Sequence, residues 1–127
     1  MKLEDQVQSE IRLDGAKVEC DLLRNNSGAV VVQNRQVRFG LGNEHATQTK
    51  LFKSSDLIGC MPLVITPEMV GSAIGVFVAV EVKKEDWKWC GDAREVGQLN
   101  FINWVRARGG FAGFANSVDT FRKIIGR

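Results

Sequence analysis

Ser72-Ala73-Ile74-Gly75-Val76-Phe77-Val78-Ala79-Val80-Glu81-Val82-Lys83 is an apolar run closed by an acid and a base two positions apart. Successive side chains of a strand point to opposite faces, so Ile74, Val76, Val78, Val80 and Val82 share one face and Ala73, Phe77, Ala79, Glu81 and Lys83 the other. Near-continuous apolar character marks a strand covered on both sides, where an unpaired charge is costly. Two charges side by side at its end therefore point to the border of a cleft, where a carboxylate can hold a divalent cation and an ammonium can steer a water or a phosphate oxygen. The plain alternative is a weak exposed ion pair where a buried strand surfaces.

Around this run the chain has the dimensions of one domain: 127 residues, 44% hydrophobic and 25% charged. Residues 1–127 are expected to form a single compact unit. The longest apolar stretch, about a dozen residues, is too short to span a bilayer, so no membrane association is expected. Met1-Lys2-Leu3-Glu4-Asp5-Gln6 lacks the apolar core of a signal peptide, which predicts a cytoplasmic, intracellular protein. Cys20, Cys60 and Cys90 are odd in number and form no C-x-x-C pair, so they signal neither a disulfide framework nor a zinc cluster. A net charge of +2 leaves a polyanionic partner open, because local clustering decides. Lys50, Lys53, Lys83, Lys84, Lys88 and Arg94 gather in sequence around Asp56 and Glu81, and Arg24, Arg35 and Arg38 fall in one earlier segment.

Leu3, Val7 and Ile11 recur at helical spacing, predicting a helix from Glu4 to about Asp14 that stops at Gly15. Val18, Cys20 and Leu22 alternate with charged residues as in a half-buried strand. Residues 29–33 and 36–39 read as a hairpin turning at Asn34-Arg35, and residues 40–55 as an aperiodic loop. A short strand begins with Asp56, and Thr66-Pro67-Glu68 opens a turn of helix. Asp92 and Glu95 resemble a capping box for a helix through Arg106 that buries Val96, Leu99, Ile102 and Val105 and ends at Gly109-Gly110. Residues 111–115 form a last strand, and Ser117 caps a terminal helix. The order predicts an α/β fold, a mixed central sheet flanked by helices.

Asp56, followed 25 positions later by Glu81-x-Lys83, is the D…(D/E)-x-K pattern of the PD-(D/E)XK nucleases. Ser54-Ser55-Asp56-Leu57-Ile58-Gly59, Ile65-Thr66-Pro67-Glu68-Met69-Val70-Gly71, Val78 to Lys83, Gln98-Leu99-Asn100-Phe101-Ile102 and Arg106 to Gly113 together resemble the stand-alone, phage-type members of the VRR-NUC family. The resemblance implies a restriction-endonuclease-like core. It implies metal-binding roles for Asp56 and Glu81, with Ser55 where the family usually has proline, and a catalytic role for Lys83 in positioning or activating the attacking water. Gln98 matches a glutamine of junction-resolving members. An acid on the first helix completes many such sites, and Glu4 fits that place best, with Glu10 second. The segment 85–90 departs from the short Gly/Pro loop of the family.

The chemistry reads the same way without the family. Asp56, Glu81, the Val82 carbonyl and Glu4 are hard oxygen donors suited to Mg²⁺ or Mn²⁺. Arg24, Asn25, Asn26, Arg38, Lys53, Ser54, Ser55 and Lys84 are candidate contacts to a DNA substrate. By resemblance the expected activity is metal-dependent endonuclease cleavage of four-way (Holliday) junctions by a homodimer. The alternatives are a nuclease for flaps or other branched DNA, and a silent DNA-binding module of the same fold. His45 reads as a surface residue, and Trp87 and Trp89 as either base-stacking or packed on the sheet edge.

Overall fold

The computed structural model describes residues 1–51 and 53–127; Phe52 and the side chains of 48–50, including Lys50 of the expected basic cluster, lie outside the described residues. The chain divides into two compact units, Met1–Gly59 and Cys60–Arg127. No helix among the described residues is long and apolar enough to cross a membrane.

The first unit opens with helix α1 (Glu4–Lys17), whose first turn carries Glu4 and Asp5 and whose last turn carries Lys17, charges that match the helix dipole. The helix does not stop at Gly15. It runs two residues further and closes when the Cys20 N–H returns to the Gly15 carbonyl at 2.8 Å, with Glu19 left-handed at φ 62°. Gly15 is buried because the returning chain crosses it: a Cβ there would lie 2.5 Å from the Cys20 carbonyl oxygen. Strand β1 (Asp21–Arg24) consequently begins later than the alternation from Val18 suggests.

Strands β2 (Gly28–Val32) and β3 (Arg35–Phe39) form the expected antiparallel hairpin, with Val32 opposite Arg35. Its turn is Gln33-Asn34, one residue earlier than expected. Both residues take positive φ, 49° and 61°, as a two-residue primed turn requires, and asparagine tolerates that conformation better than arginine. Asn43 is buried and pins the following loop by donating to the carbonyls of Gly28 and Phe39, each at 2.8 Å. The segment expected as an aperiodic loop contains a short helix, α2 (Ala46–Leu51), before strand β4 (Leu57–Cys60), which pairs with β1.

In the second unit a single 3₁₀ turn over Pro67–Met69 precedes strand β5 (Val78–Val82). The long apolar run is thus a strand only in its second half; Ser72 to Phe77 takes no regular structure. Helix α3 (Ala93–Ala107) follows, then strand β6 (Phe111–Ala115), parallel to β5 with Ala79 opposite Ala112 and Glu81 opposite Phe114. This is a strand–helix–strand crossover. Ile102, Val105 and Ala112 form its buried core, with Phe77, Ala79, Trp104 and Phe114 packed around them. Helix α4 (Val118–Ile125), capped by Ser117 and Thr120, covers the opposite face of β6, where Ile124 fits against Gly113. Of the residues expected inside α3, Ile102 and Val105 are buried, Leu99 is half-buried and Val96 is 42% exposed. The inward stripe of α3 runs through Glu95, Gln98, Ile102 and Val105, a helical spacing whose first two members are polar and so escape a search for apolar periodicity.

Candidate active site

Glu81 and Lys83 lie on the face of β5 that carries Ala79 toward α3. The strand ends at Val82, yet the ladder continues: the Lys83 N–H donates to the Ala115 carbonyl at 2.8 Å, which keeps Lys83 in register beside Glu81. Gln98, one turn ahead of Ile102 on α3, sits between them. Its Nε2 donates to Glu81 Oε1 at 2.8 Å, and its Oε1 accepts from Lys83 Nζ at 2.7 Å. Only this amide orientation is chemically consistent, since an ammonium has no acceptor and a carboxylate no donor. All three side chains are half-buried.

Lys83 forms no ion pair among the described residues. Its ammonium lies 5.6 Å from the Trp87 ring centroid and 5.5 Å from that of Phe114, two neighbouring rings that form one wall, and donates to the Gln98 amide. Ring faces attract a cation by about 0.5–1 kcal/mol each without neutralising it. A lysine held this way keeps its charge available to an incoming anion, which one fixed to a carboxylate does not. Beside the triad, between β5 and α3, opens a cleft of about 420 Å³ lined by Glu81, Gln98, Arg94, Gly97, Phe101 and Ile102.

The loop between β5 and α3 is tied down by Glu95, which is only 6% exposed. Asp92 caps α3 as expected, accepting the Glu95 N–H at 2.8 Å, but the Glu95 carboxylate does not complete the capping box. It turns to the loop instead, accepting the Trp87 indole N–H at 3.0 Å and the N–H groups of Cys90 at 2.9 Å and Gly91 at 3.0 Å. The Cys90 N–H, and with it those of Gly91 and Trp87, outweighs the opposing effect of burial and holds the carboxyl at about 2. Cys90, Asp92 and Glu95 each bring a ligand atom within 4.8 Å of the others, the spacing of a chelating cluster. Three N–H donors already fill both Glu95 oxygens and one Asp92 oxygen caps the helix, so loop closure accounts for the arrangement. Sequence reading misses this role. Its only signal is an indole donor eight residues ahead of a glutamate inside a helix N-terminus.

In the first unit Asp56 is exposed and immediately precedes β4, its carbonyl accepting the Asn25 N–H at 2.9 Å. The Asn25 side chain donates to Ser54 Oγ and to the Ser55 carbonyl, both at 2.8 Å, so Asn25, Ser54, Ser55 and Asp56 form one connected corner. Arg38 donates to Asn43 at 3.1 Å, and with Lys53 and Ser54 it lines a cleft of about 360 Å³. Arg24 and Asn26 are exposed in the neighbouring strand end and turn. Glu4 is exposed at the start of α1, whereas Glu10 is held by Lys2 at 2.8 Å. In the second unit Lys84 is exposed just beyond Lys83, and Val82, whose carbonyl is an expected metal donor, has a side chain 75% exposed.

No family model, curated protein or solved structure matches this chain.

Proposed function

We propose that the protein is a Mg²⁺-dependent DNA endonuclease of the VRR-NUC type, with the α/β core of the PD-(D/E)XK enzymes. The observation that carries the reading is the Glu81–Gln98–Lys83 chain of hydrogen bonds. A carboxylate and an un-neutralised ammonium held a fixed distance apart by one amide suit phosphodiester hydrolysis, which needs a cation ligand and a cationic group facing the phosphate.

We take the cation to be a hard one, because every donor the sequence suggests is an oxygen. Glu81 keeps its Oε2 free of hydrogen bonds among the described residues, and Asp56, the Val82 carbonyl and an acid of the first helix, Glu4 or Glu10, add oxygen only. Bound at Glu81, Mg²⁺ or Mn²⁺ would supply charge neutralisation at the phosphate and a water acidic enough to attack near neutral pH. Lys83 holds a phosphate oxygen or the attacking water as a point charge. Gln98 keeps Glu81 and Lys83 from collapsing onto one another, and Arg24, Asn25, Asn26, Arg38, Lys53, Ser54, Ser55 and Lys84 contact the backbone of the DNA. The substrate is a four-way junction cut by a homodimer, because one chain carries one catalytic set and paired incision of a two-fold junction takes two.

The test is incubation of the purified protein with labelled four-way junction, flap, single-stranded and linear duplex DNA, in Mg²⁺ and then in EDTA. Junction cleavage abolished by EDTA is the expected result. Cleavage of flaps alone would replace the junction reading with a branched-DNA nuclease, and junction binding without cleavage in either metal would leave a silent binding module. A mass of about 14 kDa by light scattering, alone and with junction, would remove paired incision.

A further inference from the structure

The loop between β5 and α3 presses an aromatic wall against the candidate catalytic lysine. Trp87 stacks obliquely on Phe114, ring centroids 5.0 Å apart, and the two rings together line one side of the Lys83 ammonium, 5.6 and 5.5 Å from it. An indole on a loop can rotate away from a strand. Trp87 cannot do so freely, because its N–H is bonded to the buried Glu95 carboxylate and its backbone N–H turns onto the Lys84 carbonyl at 3.0 Å. Glu95 is in turn fixed by the first turn of α3 and by the N–H groups of Cys90 and Gly91.

The geometry points to Glu95 as a positioning residue that acts through the Trp87 indole to hold the Lys83 ammonium against Gln98. This role rests on the nuclease reading for its catalytic consequence and assigns the tryptophan a part that substrate stacking does not require. It also explains the residue type. Three donors converge on two oxygens, so the anchor must be an acceptor only. Glutamine at this position turns an N–H₂ toward either the indole or the backbone N–H groups, setting donor against donor whichever way it lies. The ammonium needs such a wall because it has a single hydrogen-bond acceptor among the described residues. A long, flexible side chain with one bond at its tip is held in one place by the paired rings beside it.

The effect has a readout independent of DNA cleavage. With lysine labelled at Cε, the Lys83 methylene protons report their place beside the paired rings, and the Trp87 indole N–H reports its carboxylate partner. In Glu95→Gln the indole resonance is expected to lose its hydrogen-bonded shift and the Lys83 methylene signal to move toward the position of a free lysine. In Trp87→Phe, which retains a ring and removes the donor, the Lys83 signal moves less. In Trp87→Leu it moves fully. Single-turnover cleavage is expected to fall about tenfold in Glu95→Gln and Trp87→Leu and about threefold in Trp87→Phe, with KM for DNA unchanged.

A Lys83 signal unmoved in a folded Glu95→Gln protein overturns the proposal and leaves Glu95 as a loop anchor only. The proposal also fails if Trp87→Phe, the variant least prone to misfold, loses as much activity as Trp87→Leu, because the ring would then carry no weight. A wild-type protein that cuts no DNA while its Lys83 signal responds to Glu95→Gln would sink the nuclease reading and keep the tether.

Discussion

Gln98 donates to Glu81 at 2.8 Å, and the same amide accepts from Lys83 at 2.7 Å, so the acid and base of the E-x-K motif meet through a neutral group. The arrangement differs from an ion pair in what it leaves available. Among the described residues Glu81 retains an unbonded oxygen and Lys83 an un-neutralised charge, and each is oriented by a partner that competes for neither a cation nor a phosphate.

Replacing Gln98 should therefore impair turnover without weakening DNA binding. Gln98→Leu removes both hydrogen bonds and lets Lys83 fold onto Glu81, and single-turnover rates are expected to drop about tenfold to a hundredfold, or roughly 1.4–2.7 kcal/mol of transition-state stabilisation. Gln98→Glu should not rescue the rate, because an ionised carboxylate cannot donate to Glu81 and repels it. Filter binding in Ca²⁺ checks that affinity is retained. A variant with normal turnover would mean that the amide bridge has no part in the chemistry.

The anchoring glutamate gives a pH dependence with a definite sign. Glu95 has its carboxyl lowered from 4.5 to about 2, first by the Cys90 N–H. A depressed carboxylate contributes stability that is complete above its unfolded value and is lost as pH falls through the folded one. The difference in urea midpoint between wild type and Glu95→Gln should accordingly be constant from neutral pH down to about 4.5 and shrink as pH approaches 2. A gap that stays level down to about pH 2 would show that Glu95 is not held ionised by its donors.

Gly15 yields a prediction opposite to helix propensity. Exchanging a mid-helix glycine for alanine ordinarily stabilises by about 1 kcal/mol. Here the added methyl would sit 2.5 Å from the Cys20 carbonyl oxygen, which belongs to the turn that ends α1. The chain cannot retreat without breaking the Cys20 to Gly15 hydrogen bond, so Gly15→Ala should destabilise by about 1–2 kcal/mol in urea unfolding. Stabilisation by this substitution would show that the returning segment is free to yield.

What is legible in the sequence follows from how local each feature is. The strand at Phe111–Ala115, the caps at Asp92 and Ser117, and the pairing of Glu81 with Lys83 on one face depend on residues close together, and the sequence reading of each agrees with the structure. Glycine often ends helices, which is why Gly15 predicts a stop, whereas its reason is a backbone crossing made by Cys20 in the turn beyond the helix. The apolar run from Ser72 suggests one long strand because composition carries no information on where hydrogen-bonded partners end; β6 supplies partners only from the Phe77 carbonyl onward. Glu95 is legible in part. Its place in the first turn of a helix is visible, but its three donors lie in a loop whose path no periodicity reports.

The most direct prediction concerns the three charged residues of the motif, argued from what each removes. Asp56→Asn and Glu81→Gln keep side-chain size and delete one formal charge, so both should fold normally, bind Mg²⁺ more weakly and lose cleavage. For Glu81→Gln a second effect adds: the new amide can turn its own N–H₂ toward Gln98 Nε2, setting donor against donor and loosening Lys83 as well. Lys83→Ala removes a group proposed to act mainly as charge develops on the phosphate, so it should bind junction DNA with little loss and turn over far more slowly, a fall in kcat without a matching rise in KM. Isothermal titration with Mg²⁺, binding in Ca²⁺ and single-turnover cleavage in Mg²⁺ separate the three. Binding in Ca²⁺ should also weaken as salt rises, since lysine and arginine contacts to phosphate release counterions, while the preference for four-way over linear duplex DNA persists. If Asp56→Asn or Glu81→Gln cuts junction DNA at the wild-type rate, the metal ligands lie elsewhere; if Lys83→Ala raises KM and leaves kcat intact, Lys83 is a binding contact and not part of the catalytic step.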